Sequence, residues 1–143
     1  MGTSRIEISR SAVHNNIRFL KEYFGKDVRL SPVIKGNAYG HGIEIMVPLF
    51  EEAGIDFFSV FSSGEARRAA EVITGNSRIL IMGYTNPDDL DWVMDNNVEF
   101  YISSLHFFRI VYQKACSTKK QAKIHLDLET GMYRTGLTKP ELD

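Results

Sequence analysis

Strand-sized apolar runs alternate with helix-period segments along this chain. That rhythm restricts the available folds more than any other feature of the sequence. Residues 28–34, 57–61, 78–82, 99–102 and 123–128 read as five strands. Their starts recur at intervals of 21 to 29 residues. Such intervals leave room for a helix in each connection and are too long for hairpin turns. The pattern predicts an α/β protein, with a parallel sheet covered by helices and built from five βα units.

The helical segments carry their own start and stop signals. Ahead of the first strand, Val13, Ile17, Leu20 and Phe24 share one helical face, and Gly25 can close that helix. Ser62-x-x-Glu65 has the form of a capping box and opens the helix after the second strand. Asn86-Pro87-Asp88-Asp89 supplies an N-cap, a first-turn proline and acids suited to the positive end of a helix. Ser104 opens the next helix, with Leu105, Phe108 and Tyr112 on one face. Phe107 and Phe108 read as core aromatics. Pro48 lies within the helical segment 43–53, so that helix starts late or kinks. Thr138-x-x-Glu141, with Pro140, reads as one more helix start. Its position at the end of the chain suggests the front part of a longer protein.

Charge and composition exclude several functions. A chain of 143 residues, 43% hydrophobic, can build one domain with a core. A net charge of −1 without a basic block leaves no nucleic-acid footprint. No apolar run is long enough to span a membrane, and residues 1–6 lack the apolar core of a signal peptide. The lone Cys116 permits no internal disulfide and reads as a small hydrophobe on a helix. Together these features predict a cytoplasmic protein. His14, His106 and His125 are scattered without ligand spacing, and Asp88, Asp89 and Asp91 fit a solvated helix N-terminus. No metal site is expected.

The chemistry gathers at the end of the first strand. Lys35 follows Pro32-Val33-Ile34 and opens the segment Gly36-Asn37-Ala38-Tyr39-Gly40-His41-Gly42. In parallel α/β proteins the carboxyl ends of strands carry the site. A lysine amine tuned by its surroundings is suited there to Schiff-base formation and proton transfer. Tyr39 offers a hydroxyl to a phosphate oxygen, and His41 is expected to support the turn through a backbone hydrogen bond. A nucleotide-type phosphate loop is excluded, because Lys35 precedes its glycines.

Lys35-x-Asn37-Ala38-Tyr39-Gly40-His41-Gly42 resembles the pyridoxal-phosphate lysine motif of the alanine racemase family, with Gly36 where the family usually has alanine. A second block, Leu128-Glu129-Thr130-Gly131-Met132-Tyr133-Arg134-Thr135-Gly136, resembles a later segment of the same family. The opening Ile6-Glu7-Ile8-Ser9 is also similar to the family's start. The resemblance implies roles for individual residues. Lys35 would hold pyridoxal 5'-phosphate covalently and serve as one of two acid/base groups. Tyr39 would bind the cofactor phosphate. Arg134 would lie near the cofactor's phenolic oxygen and bind the substrate carboxylate, a task suited to a permanently charged fork of donors.

The same resemblance implies a partial (β/α)8 TIM-type barrel over residues 1–143. Such a barrel has eight strands and about 250 residues when complete. The remaining strands and a C-terminal β-domain would lie beyond this chain. The intact protein would be an isomerase that interconverts L- and D-alanine, a small-molecule substrate, for D-alanine and peptidoglycan synthesis. A broad-specificity amino-acid racemase and a cofactor-binding fragment without turnover are the alternatives. The second base would be a tyrosine of the partner subunit's β-domain, so the isolated chain would be inactive. Unpaired sheet edges predict a homodimer or other self-association. Two departures from the family stand out. Asp127 occupies the place of a lysine that can become carbamylated, and could itself orient Arg134. Glu129 replaces the usual aspartate.

Overall fold

The computed structural model describes residues 4–142. Among them, four parallel strands run in chain order: β1 (Phe57–Ser62), β2 (Arg78–Tyr84), β3 (Glu99–Ile102) and β4 (Lys123–Leu126). Helix α1 (Arg10–Phe24) precedes them, followed by a single turn, α2 (Lys35–Tyr39), and α3 (Ile43–Glu52). Helices α4 (Ser63–Val72), α5 (Leu90–Asp95) and α6 (Leu105–Thr118) fill the connections between strands. The short α7 (Lys139–Leu142) ends the described residues. A strand order that never reverses has no topological switch point. It describes an arc of a parallel barrel instead of a doubly wound sheet.

The first of the five expected strands shrinks to one bridge. Val33 pairs in parallel with Ser59. Ile34 N–H donates to the Ser59 carbonyl at 2.8 Å, and Ser59 N–H donates to that of Pro32 at 3.0 Å. Pro32 has no N–H to continue the ladder, so pairing stops there. The segment still occupies a fifth position beside β1. At the other edge, β4 ends at Leu126, and Leu128 bridges to Leu137 to close a loop.

The two faces of the sheet differ in chemistry. Val60, Ile81, Phe100 and Ile124 lie in register across the strands. The first three join the main apolar cluster, with Ile17, Ala66, Ala69, Val93 and Val111 from the helices. Ser59, Leu80, Glu99 and Lys123 form the alternate row. Ser59 and Glu99 are buried there, although both are polar. Each is bonded: Ser59 Oγ to Ser31 Oγ at 2.7 Å, and Glu99 to Arg78 and His125 at 2.5 and 2.7 Å. This row mixes the buried Leu80 with bonded polar side chains, and Leu80 stands outside the main apolar cluster.

The helix signals act as the sequence suggests, with corrections of face. Ser62, Asn86 and Ser104 accept backbone N–H groups from Glu65, Asp88 and Phe107. Thr138 and Glu141 are hydrogen-bonded to each other at the start of α7. Pro48 is accommodated inside α3, which begins at Ile43 without delay. In α1, Ile17 is buried and Val13 packs on the core, but Phe24 stays 51% exposed. In α6 Val111 is buried, and Phe107, Ile110 and Ala115 pack partly buried against the core. Phe108 and Tyr112 stack on each other outside it. The stripe read from sequence was offset by one residue, about 100° around the helix. Cys116 lies on the same helix and is exposed.

Candidate functional site

Lys35 begins a turn of the wrong hand. Gly36, Asn37, Ala38 and Tyr39 have φ between 52° and 60°, and Gly40 follows at 88°. Left-handed backbone costs about 1–2 kcal/mol for each residue with a side chain. Asn37, Ala38 and Tyr39 each bear that cost, so the surroundings must hold the turn. Several bonds do so. Ala38 N–H donates to the Ile34 carbonyl at 2.8 Å, and Gly42 N–H to that of Asn37 at 2.9 Å. His41 supports the turn as expected, with Nδ1 2.7 Å from the Ala38 carbonyl. Ala38 packs into the core, which pins the centre of the turn.

Helix α4 grips the same turn from outside. The Glu65 carboxylate accepts Gly36 N–H at 2.7 Å through one oxygen and Phe61 N–H at 2.8 Å through the other. The Arg68 guanidinium donates to Asn37 Oδ1 at 2.7 Å and to Glu44 at 2.6 and 2.9 Å. Asn37 Oδ1 also accepts Ile43 N–H at 3.2 Å. The N–H of Glu44 itself and then the Arg68 guanidinium hold the Glu44 carboxyl below its usual range. Sequence reading saw only a helix cap in Glu65. Its second bond spans 29 residues and leaves no local signal.

Both predicted residues of the turn face outward from this scaffold. Lys35 is half-buried and Tyr39 is 65% exposed. The turn thus carries a lysine amine and, four residues on, an exposed tyrosine hydroxyl, just after the first sheet position. Arg134 lies elsewhere. It belongs to the loop after β4, at the opposite edge of the arc. Five sheet positions at about 4.8 Å spacing put these edges roughly 19 Å apart along the sheet. Arg134 lines a cavity of about 360 Å³ with Met82, Tyr101, Asp127 and Glu129. Lys35 and Tyr39 line no part of it.

Glu129 organises the Arg134 loop. Its carboxylate accepts the N–H groups of Gly131 and Arg134, the latter at 3.3 Å. Those of Gly131 and Tyr133, foremost among the loop amides, hold this carboxyl below its usual range. Asp127, expected to orient Arg134, instead accepts the Thr135 hydroxyl at 2.8 Å. Its bond is to the neighbour of Arg134 and not to Arg134 itself. Among the described residues no cluster of His, Cys, Asp and Glu could hold a metal ion.

These groups suit a phosphorylated aldehyde cofactor. They offer one amine and one exposed phenol on the turn, and a guanidinium on the loop after β4. A family model for the N-terminal domain of alanine racemase matches residues 8–143. The chain belongs to that family. Alanine racemase 1 of Caldanaerobacter subterraneus subsp. tengcongensis is 32% identical over 93% of this chain and 34% of its own length. The alanine racemase of Francisella tularensis subsp. novicida is 33% identical over 92% of this chain and 35% of its own. The chain thus spans about a third of the curated relatives it matches.

Solved structures of the alanine racemase family share the fold. The Oenococcus oeni alanine racemase superposes with a TM-score of 0.85 at 27% identity, covering 96% of this chain and 38% of that one. The alanine racemase of Bartonella henselae, solved with covalently bound pyridoxal phosphate, gives 0.85 at 25% identity over 94% of this chain and 39% of that one. A histidine racemase from Leuconostoc mesenteroides subsp. sake gives 0.84 at 26% over 94% and 36%. The partial-barrel reading of the strand order agrees with all three.

Proposed function

We propose that this chain is the pyridoxal-phosphate-binding part of an alanine racemase, and that Lys35 carries the cofactor. The observation behind this reading is the left-handed turn that carries Lys35 and the exposed Tyr39 just after the first sheet position. Tyr39 donates its hydroxyl to a phosphate oxygen. Arg134 binds the substrate carboxylate through paired N–H donors. Lys35 would hold pyridoxal phosphate, which would supply an electron sink for the carbon that loses its proton. Once the substrate amine has taken the place of the Lys35 amine on the cofactor, the freed Nζ would accept and donate that proton on one face.

Inversion needs a second acid/base group on the other face. We assign that group to a residue outside these 143, in keeping with the third of its relatives' length that this chain spans. The whole protein then works as a cytoplasmic homodimer that makes D-alanine for peptidoglycan. The chain alone binds the cofactor without racemase turnover. The fold it shares with a histidine racemase favours one other reading, a racemase of broader substrate range.

Absorbance spectra with pyridoxal phosphate, followed by borohydride reduction and peptide mapping, test the assignment. A lysine-bound cofactor band and a label on Lys35 are expected, and Lys35→Ala removes both. Absence of the band, or a label on another lysine, overturns it. In deuterium oxide, the loaded chain should exchange the α-hydrogen of L-alanine faster than it forms D-alanine. The same assay with L-histidine separates the narrow reading from the broad one.

A further inference from the structure

We infer that Glu65 and Arg68 are positioning residues for Lys35, acting as a clamp from helix α4 on the left-handed turn. The inference rests on the reading of Lys35 as the cofactor lysine and adds residues to that site. The two side chains sit three apart on α4, so they project from one face. Neither belongs to the apolar cluster, which takes Ala66 and Ala69 from the same helix. Their polar atoms are spent on the turn and its flanks.

The two oxygens of Glu65 do different work. One holds Phe61 N–H in β1, and the other holds Gly36 N–H immediately after Lys35. A single carboxylate thereby ties the start of the turn to its neighbouring strand. Arg68 fixes the next residue, through Asn37 Oδ1, and joins it to Glu44 in the first turn of α3. Gly36 and Asn37 are the first two residues of the left-handed run. They lie where a relaxing turn would return to the right-handed basin. No side-chain hydrogen bond or ion pair of Lys35 itself is seen among the described residues, so its backbone sets where the amine points. Loss of the clamp would therefore move the amine without emptying any core position.

The test compares Glu65→Gln and Arg68→Lys with a control on the same helix, Glu71→Gln, whose parent side chain is exposed. Glutamine keeps the shape of Glu65 but loses its charge, and lysine keeps the charge of Arg68 but loses its fork. Spectral titration with pyridoxal phosphate, Lys35 labelling, Tm and amide exchange at Gly36 and Asn37 are measured for each. Both clamp variants should bind cofactor about tenfold more weakly, the loss that follows from one charge-assisted hydrogen bond. They should also speed exchange at Gly36 or Asn37 while core amides and Tm stay near those of the parent. The control should change none of these.

Unchanged affinity and labelling in both clamp variants overturns the inference. So does a loss that merely tracks a fall in Tm, as a general structural role predicts. If the parent chain itself binds no cofactor at Lys35, the pyridoxal reading fails. The clamp is then judged by amide exchange alone, and unchanged exchange at Gly36 and Asn37 ends it.

Discussion

The carboxylate of Asp127 accepts the hydroxyl hydrogen of Thr135 at 2.8 Å, next to the guanidinium-bearing Arg134. One side chain just after β4 thus braces the loop that carries Arg134. Asp127→Ala should lower stability by about 1 kcal/mol, the net worth of such a bond. Thr135→Val should cost about the same. The double variant should cost little more than either, because both changes break one interaction. Urea denaturation of the three proteins measures this directly.

Glu99 is buried in the sheet between Arg78 and His125. Burial alone would raise its pKa, but hydrogen bonds from Arg78 and His125 outweigh it and hold the carboxyl below its ordinary 4.5. The unfolded chain therefore takes up this proton at higher pH than the folded one. Stability from Glu99 is complete above the ordinary value and is lost as pH falls through the lower folded one. Denaturation midpoints should drop on acidification below about pH 4.5. Glu99→Gln should reduce that slope without abolishing it, since Glu51, Asp56 and Asp89 are depressed in the same direction.

Removal of the partner is a separate matter. Arg78→Ala leaves a carboxylate 4% exposed with only His125 beside it. Breaking a fully buried pair costs about 3–5 kcal/mol. Arg78 is itself 43% exposed, so water screens part of this pair and about 2 kcal/mol is expected. Calorimetric Tm values for Arg78→Ala and Arg78→Lys test the ranking, with the lysine variant the milder.

Gly136 sits at φ 118° where the Arg134 loop folds back on itself. A Cβ there would meet Glu129 N at 2.6 Å and Leu128 C at 2.8 Å, both backbone atoms that cannot swing aside. Gly136→Ala should destabilise by well over about 1 kcal/mol. It should also free the Glu129 amide, which donates to the Leu137 carbonyl at 3.0 Å. Hydrogen exchange at Glu129 reports the second effect independently of global stability.

The outer edge of β4 carries apolar side chains. Ile124 and Leu126 are 37% and 52% exposed, on the strand that ends the sheet. Such an edge invites a further strand. The chain should sediment as a concentration-dependent oligomer at micromolar levels, and Leu126→Lys should shift it toward monomer. A monomeric parent across that range would remove the edge as a driving force.

The elements that were legible in the sequence are those with local causes. Ser62, Asn86 and Ser104 announce helices because each cap bonds within three residues of itself. The chain-order parallel sheet follows from apolar runs spaced for crossover helices. The lysine and arginine motifs could be read because each is contiguous. The first strand was overestimated because an apolar run shows nothing of the partner that Pro32 fails to bond. The face of α6 was misjudged because Phe108 and Phe107 are equally apolar and only the core chooses between them.

By itself, then, the sequence determined the order of elements, the lysine at a strand end and the family motifs. These depend on neighbours along the chain. The left-handed hand of the Lys35 turn, its hold by Glu65 and Arg68, and the pairing of Asp127 with Thr135 were decided by tertiary structure. The clamp depends on partners 29 and 31 residues away that meet only once the chain has folded, and the Asp127 bond on a loop that returns after eight residues. A strained backbone and a shared carboxylate are properties of that meeting, and no single stretch of sequence contains them.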